Sequence, residues 1–186
     1  MHDRLDAGFA VKALAETGVF EGYASVFDAI DDGHDRVRRG AFARTLAGRR
    51  PGDIKLLWQH DPTEPIGVIQ AIREDRRGLY VKARLLLDVA RAREALSLMR
   101  CGALDGLSIG YRAAKATLDD RTGERLLEDI DLWEVSLVTF PMQRHARIAA
   151  FKTGAADDWA ETEDWAEIVD RLTRLETLLS HPGDRS

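Results

Sequence analysis

The sequence holds one cysteine, Cys101, which excludes an intrachain disulfide and any zinc site built on several thiolates. Nothing in it approaches the run of roughly 20 apolar residues that crosses a bilayer as a helix. The opening residues, Met1-His2-Asp3-Arg4-Leu5-Asp6, carry no apolar signal-peptide core, so the expected location is the cytosol, away from membrane. Neither sign of charge dominates: 27 Lys and Arg against 32 Asp and Glu leave a net charge of -5. That mild charge disfavours a nucleic-acid binder, which usually shows a clustered basic face. No fixed repeat period appears.

What is present is the balance of a globular protein. The chain has 186 residues, 45% hydrophobic and 32% charged, enough for one domain with a real core. Alternation bounded by turn residues predicts a strand over 19–27, followed by an Asp- and Gly-rich loop over 28–34. A short helix is expected over 39–46, closed by Gly48, then strands over 54–58, 66–72 and 79–87, the last two joined by a charged hairpin loop ending in Gly78. Val89, Ala92, Ala95, Leu96 and Met99 recur at helical spacing, predicting a helix over 88–100 capped by Asp88, with Cys101 as a small buried residue at its end. Further strands are expected over 107–113 and 130–140, the latter preceded by a turn at 119–123. Strands with few parallel crossovers imply a mainly β, α+β architecture: an antiparallel barrel or sandwich with helices packed outside.

The expected organisation is an N-terminal segment over 1–18, a domain over 19–152, and a linker with an amphipathic helix over 153–186. Trp165, Ile168, Val169, Leu172, Leu175 and Leu179 form a narrow, nearly heptad-like apolar stripe there. It fits a helix packed on its own domain, or equally one that pairs two protomers or binds a partner.

Among five histidines, His2 and His181 lie near the termini, His34 falls in a hydrated Asp-Gly loop without the spacing of a calcium site, and His145 follows a post-strand turn. His60, in Trp58-Gln59-His60-Asp61, stands at a strand end, where rigid sheets present functional loops. Ser108 lies in Gly106-Leu107-Ser108-Ile109-Gly110-Tyr111; by alternation Gly106 and Gly110 share its face and leave room for a substrate backbone. By spacing alone, a structural histidine and a solvent-face serine are the ordinary readings. The sharper one pairs them, since a serine needs a neighbouring base to become nucleophilic. Glu134, an acid inside the apolar Leu132–Val138 run, is the candidate to orient the histidine, with Asp131 and Asp61 as competitors. Ser136 shares Glu134's face without nearby glycines and reads as a neighbour of the site. Gly106 to Gly110 spells Gly-x-Ser-x-Gly, but a strand continuation follows rather than a helix, which disfavours an esterase elbow.

The ordered succession Phe20-Glu21-Gly22-Tyr23-Ala24, Arg39-Gly40-Ala41-Phe42, Trp58-Gln59-His60-Asp61 with Pro65-Ile66-Gly67, Leu107-Ser108-Ile109-Gly110-Tyr111 and Trp133-Glu134-Val135-Ser136-Leu137-Val138-Thr139-Phe140-Pro141 resembles the prohead (capsid maturation) proteases of tailed bacteriophages. The same gene type occurs in gene transfer agents, which are domesticated phage particles. That family looks related in fold to the herpesvirus assemblins, so the resemblance implies an assemblin-like, mostly antiparallel barrel ringed by helices. It implies a serine endopeptidase, free of metal and cofactor, with His60, Ser108 and then Glu134 where assemblins have a second histidine. Backbone just beyond the third member helps bind the oxyanion in assemblins, which points to Gln143 and Arg144. The implied partner is the major capsid protein, whose scaffolding segment the enzyme would cut, along with itself, inside the immature capsid in the host cytoplasm. The rival is a catalytically silent capsid scaffold or core protein of the same fold.

Overall fold

The computed structural model describes residues 18–150. The expected N-terminal segment (but for its last residue) and the C-terminal linker and amphipathic helix lie outside the described residues.

In chain order the elements are β1 (Val19–Val26), β2 (Asp35–Val37), α1 (Ala43–Gly48), a 3-10 turn (Pro51–Asp53), β3 (Lys55–Trp58), β4 (Asp61–Glu74), β5 (Gly78–Leu85), α2 (Ala90–Arg100), β6 (Gly106–Leu118), β7 (Arg125–Val138) and β8 (Ile148–Ala150). The strands form one sheet in the order β2-β7-β3-β4-β5-β1-β8, with β6 on β7. Most pairings are antiparallel, as expected, while β2 and β3 both run parallel to β7. The sheet curls into a half-barrel, and the stretch 146–148 bonds to both of its ends. Tyr23 N donates to Arg147 O at 3.1 Å on the β1 side, and Leu107 N donates to Ala146 O at 2.9 Å on the β6 side. Gly22 permits this approach, since a Cβ there would stand 2.4 Å from Arg147 O.

One apolar core fills the concave side: Phe20, Phe42, Ile66, Leu79, Leu107, Ile130, Leu132, Val135 and Leu137 are almost wholly buried in it. Helix α1 is tied to β7 through Thr45, whose hydroxyl donates to Ile130 O at 2.6 Å and accepts from Leu132 N at 3.3 Å.

The structure corrects several boundaries. Helix α1 starts at Ala43 rather than 39, because Gly40 takes a positive φ of 88° and turns the chain first. Helix α2 has Val89, not Asp88, at its N-cap, without a side-chain cap bond. Cys101 is exposed rather than buried. Strand β6 reaches Leu118 and β7 begins at Arg125, well beyond the apolar runs at 107–113 and 130–140. These outer halves lack hydrophobic alternation. They are held by the ladder itself and by cross-strand ion pairs such as Lys115–Glu128 at 2.8 Å. Strand β2 was not foreseen either: three residues inside a polar stretch carry no periodicity. Among the described residues no helix is long and apolar enough to cross a membrane.

Candidate active site

The site begins with a tight hairpin. Strands β3 and β4 are joined by Gln59 and His60 alone, with Trp58 paired to Asp61. Both joining residues have positive φ, 49° for Gln59 and 62° for His60, the pattern of a type I′ turn normally built from Asn-Gly. Two L-residues in that conformation store strain, of order 1–3 kcal/mol each. The turn is clamped to the end of β7: Gln59 N donates to Leu137 O at 3.0 Å, and Gln59 Nε2 donates to Thr139 Oγ1 at 2.8 Å.

Strand β7 supplies the acid through a bulge. Gly110 pairs with Glu134 and Tyr111 with Leu132, so Trp133 has no partner across the ladder. Leu132 and Val135, three apart, are both fully buried in the core. The extra residue thus reverses the parity of the strand and turns Glu134 and Ser136 to the outer face, a common use of bulges beside functional sites. There Glu134 Oε1 lies 2.6 Å from His60 Nδ1. Ser136 Oγ donates to Glu134 Oε2 at 2.8 Å and accepts the His60 backbone N–H at 3.0 Å. A carboxylate on Nδ1 fixes the proton on that nitrogen and leaves Nε2 as the basic lone pair. The imidazole is partly open, 42% exposed, while the Glu134 side chain is 11% exposed.

Ser108 stands directly across the ladder from Ser136, so it shares the outer face with Glu134, Ser136 and the histidine turn. It is buried to 7% exposure, and it is not hydrogen-bonded to His60. The glycines flanking it do not leave open room. A Cβ on Gly110 would fall 2.1 Å from Glu134 Oε1, and one on Gly106 would fall 2.5 Å from Val138 O. The space above Gly110 is filled by the carboxylate that reaches His60, not left for a substrate.

The competitors for the acid are engaged elsewhere. Asp61 accepts from Thr63 N and Oγ1 at 2.8 and 2.6 Å; Asp131 pairs with Arg49 at 2.7 Å and accepts from Trp133 Nε1 at 3.0 Å. Gln143 is buried, its amide consumed by Val26 N and by the carbonyls of Val26 and Ala29. Arg144 is exposed, with Nε 3.5 Å from Asp32. The backbone N–H groups of Gln143 and Arg144 donate to no backbone carbonyl among the described residues.

A pocket opens beside Ser108, walled by Val37, Ile109, Met142, Gln143 and the acids Asp31 and Asp35. Burial would raise the Asp35 carboxyl, but hydrogen bonds from Arg125 (2.7 Å) and Tyr111 (2.8 Å) outweigh it and hold it below its ordinary value. Burial, with the Asp35 hydrogen bond, pushes the Tyr111 phenol far up. Asp31, bonded only to backbone N–H groups, is raised by burial. No group of three or more His, Cys, Asp or Glu able to hold a metal ion occurs among the described residues. Ser136, expected as a neighbour of the site on Glu134's face, lies there, bonded to both Glu134 and His60.

Known proteins match this chain along most of its length. The family described as Caudovirus prohead serine protease matches residues 8–159. The prohead protease of Enterobacteria phage HK97 is 32% identical over 164 residues, covering 87% of this chain and 72% of that protein. Among solved structures, the bacteriophage T4 capsid assembly protease gp21 aligns with a TM-score of 0.56 at 14% identity, over 64% of this chain and 80% of that one. Varicella-zoster virus protease aligns with a TM-score of 0.47 at 14% identity, over 72% of this chain and 63% of that one. The T4 likeness is one of fold; the HK97 relation is one of sequence. The family match and the HK97 relation define a serine peptidase of capsid maturation. The chain belongs to the Caudovirus prohead serine protease family.

Proposed function

We propose that Ser108 is the nucleophile, His60 the general base and Glu134 the orienting acid of this peptidase, and that its substrate is the scaffolding segment of a major capsid protein, cut inside the immature head in the host cytoplasm. The observation that carries the triad is the 2.6 Å contact between His60 Nδ1 and Glu134 Oε1, on the face where Ser108 stands across the ladder from Ser136.

In the first step Ser108 Oγ attacks the scissile carbonyl carbon while His60 Nε2 takes its proton, and Glu134 stabilises the resulting imidazolium through Nδ1–H. Collapse of the tetrahedral intermediate breaks the C–N bond, and the imidazolium gives the proton to the departing amine. Water then attacks the acyl-enzyme, losing its proton to Nε2, and Ser108 leaves with that proton restored. Substrate binding closes the Ser108–His60 gap, as catalytic hydrogen bonds tighten in the Michaelis complex. Since the Gln143 amide is occupied, the oxyanion is received by backbone N–H groups of the 143–144 turn, which adjoins the same pocket as Ser108. A substrate side chain enters that pocket.

Coexpression with the adjacent capsid gene and intact-mass analysis test the reading. Wild type should yield truncated capsid protein and Ser108→Ala the full-length chain. Normal processing by Ser108→Ala would sink the assignment, and uncut capsid protein with wild type would favour a silent scaffold role.

A further inference from the structure

One buried hydroxyl beside the proposed triad bonds to two of its members. The geometry points to Ser136 as a positioning residue that locks His60 and Glu134 into a single rigid unit; this rests on the triad reading above.

Ser136 is fully buried, 0% exposed, so its hydroxyl has no access to solvent and is not placed to meet a substrate. A hydroxyl offers one proton and two lone pairs. Here the proton goes to Glu134 Oε2 at 2.8 Å, and a lone pair takes the His60 backbone N–H at 3.0 Å. The other carboxylate oxygen grips the imidazole of the same histidine at 2.6 Å. The result is a closed circuit: His60 backbone, Ser136 hydroxyl, Glu134 carboxylate, His60 ring. It fixes the direction of the imidazole relative to its own main chain, where a triad normally fixes only the ring.

The circuit matters because His60 sits at φ 62°, a conformation that an L-residue leaves readily. Without Ser136 the half-buried His60 N–H loses its partner, and Glu134 keeps only the imidazole contact. The rest of the turn stays anchored independently through Gln59 to Leu137 and Thr139. Ser136→Ala should therefore fold yet misdirect the base. A positional error on the scale of 1 Å in a catalytic group costs about 10²-fold in rate.

The test compares Ser136→Ala with Glu134→Gln on a quenched-fluorescent peptide spanning a mapped cleavage site. The expected result for Ser136→Ala is a kcat lower by about 10- to 100-fold with KM within about two-fold. In ¹⁵N-histidine protein, the low-field proton resonance of His60 Nδ1–H should shift or broaden in the same variant. Should Ser136→Ala not fold, Ser136→Cys, which keeps the shape but weakens the donor, should show a fall in kcat and a shift of that resonance. A Ser136 variant with wild-type kcat and an unmoved resonance, alongside a crippled Glu134→Gln, overturns the role of Ser136 alone. Wild-type turnover by Glu134→Gln overturns the triad reading first.

Discussion

Gly110→Ala should disable the enzyme by displacing the carboxylate of Glu134. The alanine Cβ would sit 2.1 Å from Glu134 Oε1 and 2.7 Å from both Cδ and Cγ of that side chain, where ordinary contact begins at 3.4 Å. The carboxylate must withdraw by more than 1 Å, and its 2.6 Å contact with His60 Nδ1 then lengthens past hydrogen-bond range. A loss of that kind is worth about 10²-fold in kcat, or roughly 2.7 kcal/mol at 1.36 kcal/mol per decade. The assay is steady-state peptide turnover with a thermal melt beside it, performed in two backgrounds. In the wild-type background, kcat should fall by about 10²-fold and the melt should hardly move. In a Glu134→Ala background the obstructing carboxylate is gone, so adding Gly110→Ala should change kcat by less than about two-fold. That coupling of about 2 kcal/mol or more is the signature of a steric effect relayed through Glu134. Equal losses in the two backgrounds, or wild-type turnover by Gly110→Ala, would refute the reasoning.

Other outcomes follow from contacts around the site. Arg125→Met should destabilise by about 1–2 kcal/mol at neutral pH, since the exposed half of Arg125 weakens the pair with Asp35 but its loss leaves a buried carboxylate with Tyr111 alone. Asp35 titrates below its ordinary 3.8 in the folded protein, so its contribution is complete above about pH 4 and is lost as pH falls through the folded value. Acid melts of wild type should show that loss, and Arg125→Met should flatten it. Thr45→Val should cost about 1–3 kcal/mol in chemical denaturation, because Ile130 O and Leu132 N lose a buried hydroxyl. Gly22→Ala should lower the melting temperature and expose the 146–148 strip to faster amide exchange, as its Cβ would meet the Arg147 carbonyl at 2.4 Å.

Much of this was legible in the chain. Alternation at 19–27, the apolar run at 54–58, the helical spacing of Ala92, Ala95, Leu96 and Met99, and the ordered motifs through Trp133-Glu134-Val135-Ser136 placed the strands and the main helix, and put Glu134 first among three candidates for the acid beside His60. Three things were hidden. The bulge at Trp133 breaks the period on which alternation depends, so the outward turn of Glu134 follows from a three-residue gap between Leu132 and Val135 that only the paired strand reveals. The Gln59-His60 turn has none of the Asn or Gly that normally announces positive φ. The glycines near Ser108 read as clearance for a ligand, whereas a carboxylate and a carbonyl from neighbouring segments occupy the space. In each case the deciding contact is long-range, and local pattern carries no trace of it.

The two-residue hairpin that presents His60 also bears on how such chains drift. Asn or Gly at either position would relieve the turn and add stability, so mutation left to stability alone would erode both residues. The Gln59–Thr139 hydrogen bond opposes this at the first position, and on the triad proposed above the need for an imidazole opposes it at the second. A chain of this fold that had ceased to cut would be free to relax, and an Asn-Gly corner in place of Gln-His would then record the loss of chemistry in a single dipeptide.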